Sequence, residues 1–329
     1  MSLFSAIAEL IKPAPPPDPE VAAALDRVIG MTDPLVRAAP HLEKHLAGAV
    51  EHALGYCAGL VAALPGPLEI NRQAFSQDPL IHALFATAAD IDPMLGRSQA
   101  IRDYLERPEC WEADCFCAML AARRWQKRQF GMAQQGDIIR NDVPQEVLYF
   151  SDQTLIEPTC DLDRTRDRLR ARALESLLTA FNSHVDALRR ARLNLRADLS
   201  VEQAQLLVSR QHDDAEHTAE HTRHLAELEF RLSQNADSLM PENLVETLAD
   251  FLRHPESALS LTPVTVRVDR LGIVQREDTP DDQVQTLKFP ELSSRDRRQH
   301  IATLVRITRE EAAAAVEKSR DQQKRYIIL

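Results

Sequence analysis

Seven residues of this chain, Leu174, Leu177, Phe181, His184, Leu188, Ala191 and Leu195, recur in alternating three- and four-residue steps. Such steps keep one side of a 3.6-residue turn facing a single neighbour, so the segment must be a long helix packed along its length. The pattern falters at Leu199-Ser200, and Ser200 with Gln203 three residues on has the form of a capping box. A second helix is therefore expected from there, with its seam through Ala204, Val208, Ala215, Thr222, Leu225 and Leu232, ending before Pro241. Residues 161–197 hold nine arginines against five acids, whereas residues 201–237 hold eight acids against three arginines. The two helices are thus expected to fold back on each other near Leu199, setting Arg164 to Arg172 beside Glu227 and Glu229. Each exposed pair contributes only about 0.2–1 kcal/mol, so charge sets register more than stability.

The rest of the chain divides by period. Residues 20–127 read as helix after helix, punctuated by Pro40, Gly66-Pro67, Asp78-Pro79 and Pro93. From Pro40 to Leu64 the stripe is Leu42, Leu46, Val50, Ala53, Cys57, Val61 and Leu64, with Gly48, Gly55 and Gly59 available for close approach of a neighbour. From Pro108 onward, Trp111, Cys115, Ala118, Ala122 and Trp125 repeat at helical spacing and predict a further helix with these residues in the core. Between residues 128 and 160, short apolar runs separated by turn residues predict a small β-meander. After a helix from Pro241 to His254, Val264, Val266 and Val268 alternate with polar residues, and Asp269-Arg270-Leu271-Gly272 supplies a turn. Thr286 to Phe289 and Ile301 to Ile307 read as further strands. Thr308 with Glu311 caps a final helix to about Gln323, and Tyr326 to Leu329 are expected to close the sheet as an edge strand.

The expected fold class is mainly α with small β elements (α+β): an N-terminal helical unit, a long antiparallel two-helix hairpin and a small C-terminal α+β module. The expected segments are 1–19, an amphipathic helix on a Pro-rich linker; 20–127, all-α; 128–160, the meander; 161–240, the hairpin; and 241–329, the α+β module. In the first segment Leu3, Phe4, Ile7, Leu10 and Ile11 share one helical side, and the run Pro13 to Pro19 holds the helix on a stiff extended tether. These five residues are candidates for binding a protein partner or a membrane surface.

Chemistry-bearing clusters are few. Asp213, His217, His221 and His224 fall within one side of a helix, with Glu220 nearby, and offer imidazole and carboxylate donors to a divalent transition metal. The same helical arithmetic turns them away from the expected partner helix, as a solvated polar face would be. His41, His45 and His52 flank an apolar stripe, where histidine commonly sits without binding metal. Cys110, Cys115 and Cys117 lack the paired spacing of a zinc site; Cys115 is expected in the core and the other two off it. Arg123-Arg124-Trp125-Gln126-Lys127-Arg128 is basic and aromatic, yet short, with Trp125 assigned to the core stripe.

Only 9 of 329 residues are glycine, against an average near 7%, which disfavours the glycine-rich loops that cradle phosphates. No phosphate loop, dinucleotide fingerprint, His-Glu-x-x-His or Gly-x-Ser-x-Gly occurs. A net charge of −11 argues against nucleic acid and anionic membranes as partners. Five cysteines and no basic-apolar leader predict a cytoplasmic protein without disulfides. Leu46 to Leu64 is the nearest approach to a membrane span, but Glu51 and His52 interrupt it. The sequence therefore leads to a non-enzymatic interaction or scaffold protein, acting on a protein partner or on a second copy through the hairpin and the N-terminal helix. The alternative is a helical metalloprotein or metal-dependent enzyme built on the Asp213/His217/His221 cluster.

Overall fold

The computed structural model describes residues 19–135, 138–212, 215–275, 284–294 and 299–327. The chain is mainly helical with a β-sheet, of α+β type. Eleven helices run in chain order among the described residues: α1 (Pro19–Met31), α2 (Pro34–Arg37), α3 (Leu42–Ala62), α4 (Arg72–Gln77), α5 (Pro79–Leu84), α6 (Ile91–Arg97), α7 (Gln99–Leu105), α8 (Leu162–Gln211), α9 (Ala215–Ser238), α10 (Pro241–Arg253) and α11 (Arg309–Ile327). The strands are β1 (Leu68–Glu69), β2 (Cys115–Gln135), β3 (Ile138–Thr159), β4 (Leu259–Val268), β5 (Gln285–Ser294) and β6 (Gln299–Thr308). They are grouped in two compact units, one of residues 1–55 and 174–255, the other of residues 56–173 and 256–329. Strands from both halves of the sequence pair in one sheet.

That sheet has the order β3-β2-β6-β5-β4, with β1 added in parallel to β6. Residues 115–125 are strand, not helix. Phe116, Ala118, Leu120 and Ala122 alternate onto one sheet face and are buried there with Phe289, Ile301 and residues of α5 to α7 and α11. The opposite face carries Met119, Ile156, Leu292 and Leu304, covered by Val61 and Leu64 at the end of α3 and Leu169 near the start of α8. Sequence period alone pointed to helix because Cys115, Ala118, Ala122 and Trp125 also fit a 3.6-residue repeat. The pairing of β2 with both β3 and β6 decides the matter. The expected meander is in fact one long ribbon of β2 and β3, paired from Cys117 with Thr159 to Gln135 with Ile138.

Local signals explain most element ends. Asp78 accepts from the Leu80 and Ile81 amides at 2.8 and 3.1 Å and starts α5. Glu311 N donates to Thr308 Oγ1 at 3.3 Å, and the Thr308 hydroxyl donates to Glu311 at 2.7 Å, which fixes the start of α11 as expected. Gly272 takes φ 77° in the turn after β4, where it frees the chain to bridge both Val268 and β3. Gly96 lets α6 approach α11, since a Cβ there would come within 2.5 Å of Ala315 O. Around Gly48, Gly55 and Gly59, by contrast, nothing lies within 4 Å of such a Cβ, so the expected close approach to α3 does not occur. Tyr326 and Ile327 end α11 rather than form an edge strand; residues 328–329 lie outside the described residues. No described helix is long and apolar enough to cross a membrane.

The other unit holds α1, α2, the first part of α3, α8 from Leu174, α9 and α10. Of the expected stripe along α8, Leu174, Leu177, Phe181 and Leu195 are buried and His184, Leu188 and Ala191 half-buried; Val185, outside that stripe, is buried with them. Leu244, Val245, Leu248, Ala249 and Leu252 bury one side of α10, and Phe251 meets Phe181 with ring centroids 5.8 Å apart. Each such large apolar side chain contributes about 1.5–3 kcal/mol by leaving water.

Candidate functional site

The hairpin of α8 and α9 is present, but its bend is displaced. α8 runs unbroken for 50 residues to Gln211. Ser200 lies inside it, and its hydroxyl donates to Arg196 O at 3.0 Å instead of capping a new helix. α8 ends at Gln211 and α9 begins at Ala215. Two contacts fix an antiparallel register: His221 meets Glu202, and Asn235 Nδ2 donates to Leu188 O at 3.2 Å, both pairs being centred on residues 211 and 212. This register sets Glu227 and Glu229 across from positions 196 and 194, not beside Arg164 to Arg172. Those arginines have nearer acids: Arg166 pairs with Asp163 and Arg170 with Asp167, each at 3.1 Å, and Arg164 with Glu109 at 3.6 Å.

Because α8 does not stop at Ser200, its buried phase continues through Leu199, Glu202, Leu206 and Ser209. The facing phase of α9 is Thr218, His221, Leu225, Leu228, Leu232 and Asn235. Of the expected second seam, Leu225 and Leu232 are half-buried as required, whereas Ala204, Val208, Ala215 and Thr222 are exposed.

Glu202 is buried at the centre of this contact. His221 Nδ1 donates to Glu202 Oε1 at 2.6 Å and His224 Nδ1 to Oε2 at 3.1 Å, so one carboxylate clasps two imidazoles. His221 and His224 therefore point toward α8, not away from it. The His221 hydrogen bond, with a smaller one from His224, outweighs burial and holds the Glu202 carboxyl below its ordinary range. A carboxylate lowered in this way contributes stability above its unfolded value, about pH 4.3, and that contribution is lost as pH falls through the folded value. Glu202→Gln is therefore expected to lower the urea midpoint at neutral pH and to converge on the parent only once the pH has fallen through the lowered carboxyl value of the folded chain. An equal gap above and below that value would count against the clasp.

Asp213 lies outside the described residues, His217 sits on the exposed side of α9, and Glu220 is exposed beside it. Among the described residues no group of three or more His, Cys, Asp or Glu is disposed to hold a metal ion. His45 and His52 are exposed along α3, and His41, also exposed, precedes the helix with φ 55°. Cys110 and Cys117 are buried and Cys115 half-buried, the reverse of the helical expectation: Cys110 closes a short helical turn before β2, and Cys117 is paired on both sides, with Thr159 of β3 and Arg306 of β6, whereas Cys115 at the strand's start pairs only with Thr308. Burial raises the Cys110 and Cys117 thiols and pushes Cys57 up to about 11, which leaves these sulfurs protonated and unreactive. Trp125 is not in the core. It stacks on Tyr149, its partner across the ribbon, and Arg123 lies over its ring at 3.9 Å.

What sequence reasoning missed is the outer side of α8. Leu193, Ala197, Val201, Ala204, Leu207 and Val208 recur at helical spacing on the side opposite the seam. Leu193, Val201, Leu207 and Val208 are 64, 57, 60 and 54% exposed. Next to this stripe a groove of about 530 Å³ is lined by Leu35, Arg189, Arg192, Leu193, Arg196, Ala236, Leu239, Met240 and Pro241. Arg189 is already engaged by Asp33 at 2.6 Å and Asp186 at 3.3 Å. Neither Arg192 nor Arg196 has a carboxylate partner among the described residues, and Arg192 Nε is buried without a hydrogen-bond partner. Leu3, Phe4, Ile7, Leu10 and Ile11 lie outside the described residues. No protein-family model, curated protein or solved structure matches the chain.

Proposed function

We propose that the protein is a non-enzymatic interaction protein whose helical hairpin docks a protein partner along the outer side of α8. The observation that supports this is the run Leu193, Ala197, Val201, Ala204 and Val208, apolar and exposed on a helix whose core side is already buried by α9. Large apolar side chains gathered on one exposed helical face are the usual mark of a docking surface. From Leu193 to Val208 the stripe extends about 22 Å, four turns of a partner helix. The N-terminal residues Leu3, Phe4, Ile7, Leu10 and Ile11 serve in this reading as a second docking element on their Pro-rich tether.

The double substitution Val201→Glu/Val208→Glu tests the reading. Both positions are solvent-exposed, so folding stability is expected to change by no more than about 0.5 kcal/mol per site. In extracts of the source cells the parent chain is expected to elute in a complex larger than its own 37.0 kDa, and the double variant at the mass of the free chain. A parent chain that elutes alone, or a variant that remains in the larger complex, would refute the assignment.

A further inference from the structure

We infer that the partner laid on the α8 stripe is an acidic amphipathic helix, whose carboxylates are received by Arg192 and Arg196. This rests on the docking role just proposed and adds the chemistry of the occupant. The stripe has an asymmetric border. At 100° per residue, Arg189, Arg192, Arg196 and Arg210 all fall on the side that opens on the groove, while Asn194, Asp198 and Gln205 fall on the other. A helix seated on Leu193, Val201 and Val208 therefore has Arg189, Arg192 and Arg196 along one flank at its Leu193 end and Arg210 at the far end.

Two of those groups await a ligand. Asp33 and Asp186 neutralise Arg189, but Arg192 and Arg196 have no carboxylate partner among the described residues. The Nε of Arg192 is buried with its hydrogen-bonding capacity unused, which a native structure ordinarily avoids. Guanidinium presents a planar fork that takes a carboxylate in two parallel hydrogen bonds, so Glu or Asp side chains are the fitting complement. The apolar walls of the groove, Leu35, Leu193, Leu239 and Met240, add room for one large apolar anchor on the same ligand. A polypeptide fits this better than an anionic bilayer. The site is a groove bordered by Ala236, Leu239, Met240 and Pro241, which receives a side chain projecting from a helix, whereas a bilayer presents a broad face.

The probe is a fluorescein-labelled 18-residue helical peptide with leucine at i, i+4, i+7 and i+11 and glutamate along one flank. Its twin carries lysine in place of glutamate. By fluorescence anisotropy on the full chain, the glutamate peptide is expected to bind at least tenfold more tightly than the lysine twin and to weaken as salt is added. Arg192→Gln/Arg196→Gln is expected to weaken the glutamate peptide tenfold or more, with an unchanged thermal melt showing that the variant is folded. Equal binding of the two peptides, no binding of either, or an unaltered affinity in the arginine variant overturns the inference. Preference for phosphatidylglycerol vesicles over the glutamate peptide overturns it in favour of a membrane, and a doubled mass of the chain alone in light scattering in favour of a second copy. Loss of both peptides alike on Val201→Glu/Val208→Glu, with no effect of the arginine change, leaves the docking stripe standing and removes only the acidic partner.

Discussion

Glu291→Ala is expected to destabilise the sheet-containing unit by about 3–5 kcal/mol, since it leaves the guanidinium of Arg124 enclosed without its counter-charge. The side chains of Arg124 and Glu291 are only 13 and 10% exposed and meet at 2.5 Å on the sheet face that carries the larger apolar core. Arg124 also lies 5.9 Å from the Phe289 ring centroid, so it is held in place by the core whether or not its partner is present. Water reaches the bared charge poorly, and that desolvation is what the substitution exposes. The paired change Arg124→Leu/Glu291→Leu removes both charges and is expected to cost less than the single one. Both tryptophans of the chain, Trp111 and Trp125, belong to this unit, so urea unfolding followed by tryptophan fluorescence reads the effect directly. A loss under about 1 kcal/mol for the single change would mean that the pair behaves as a surface ion pair.

Phe181→Ala is expected to cost a similar amount, about 3–5 kcal/mol, in the unit that carries the hairpin. Phe181 is fully buried on α8 and packs on Phe251 of α10 with ring planes inclined at 56°. Truncation removes the transfer free energy of the ring, leaves a cavity and breaks an aromatic pair that contributes about 0.5–1.5 kcal/mol beyond its area. The loss is to be read from the helical signal in far-ultraviolet circular dichroism, because this unit has no tryptophan. Phe230→Ala is the control: that ring is 63% exposed on α9, and its removal is expected to leave stability nearly unchanged. Equal effects at positions 181 and 230 would contradict the assigned faces.

The parts of the fold that were legible in the sequence are those where one period stands alone. Leu174 to Leu195 fits a helix and nothing else, and the valines of β4 alternate with polar residues without a competing pattern. Residues 115–125 satisfy both periods at once, through Cys115, Ala118, Ala122 and Trp125 on one reading and Phe116, Ala118, Leu120 and Ala122 on the other. Only pairing partners far away in sequence choose between them. The apolar stripe is masked by Ser200 and Gln203, whose capping-box spacing reads as the start of a new helix. Glu202 occupies a seam position of α8, where its carboxylate is met by His221 and His224 of α9. A helix starting at Ser200 would put Ala204 and Val208 on a buried seam; in the continuous α8 they share an exposed side with Leu193 and Val201. A usable signal was present, since the three- and four-residue steps from Leu195 pass through Leu199 and Leu206 with Glu202 between them.

The stripe, the groove beside it and the carboxylate clasp all require α8 to pass through Ser200 without a break. Amide hydrogen exchange at Ser200, Val201, Glu202 and Gln203 measures this most directly. In a continuous helix each of these amides donates to the carbonyl four residues earlier, and all four are expected to exchange as slowly as those of Leu188 to Leu195. A helix that started at this point would leave its first amides without intrahelical partners. Exchange at the rate of free backbone across these four residues would contradict the account and remove the surface on which the proposed interaction depends.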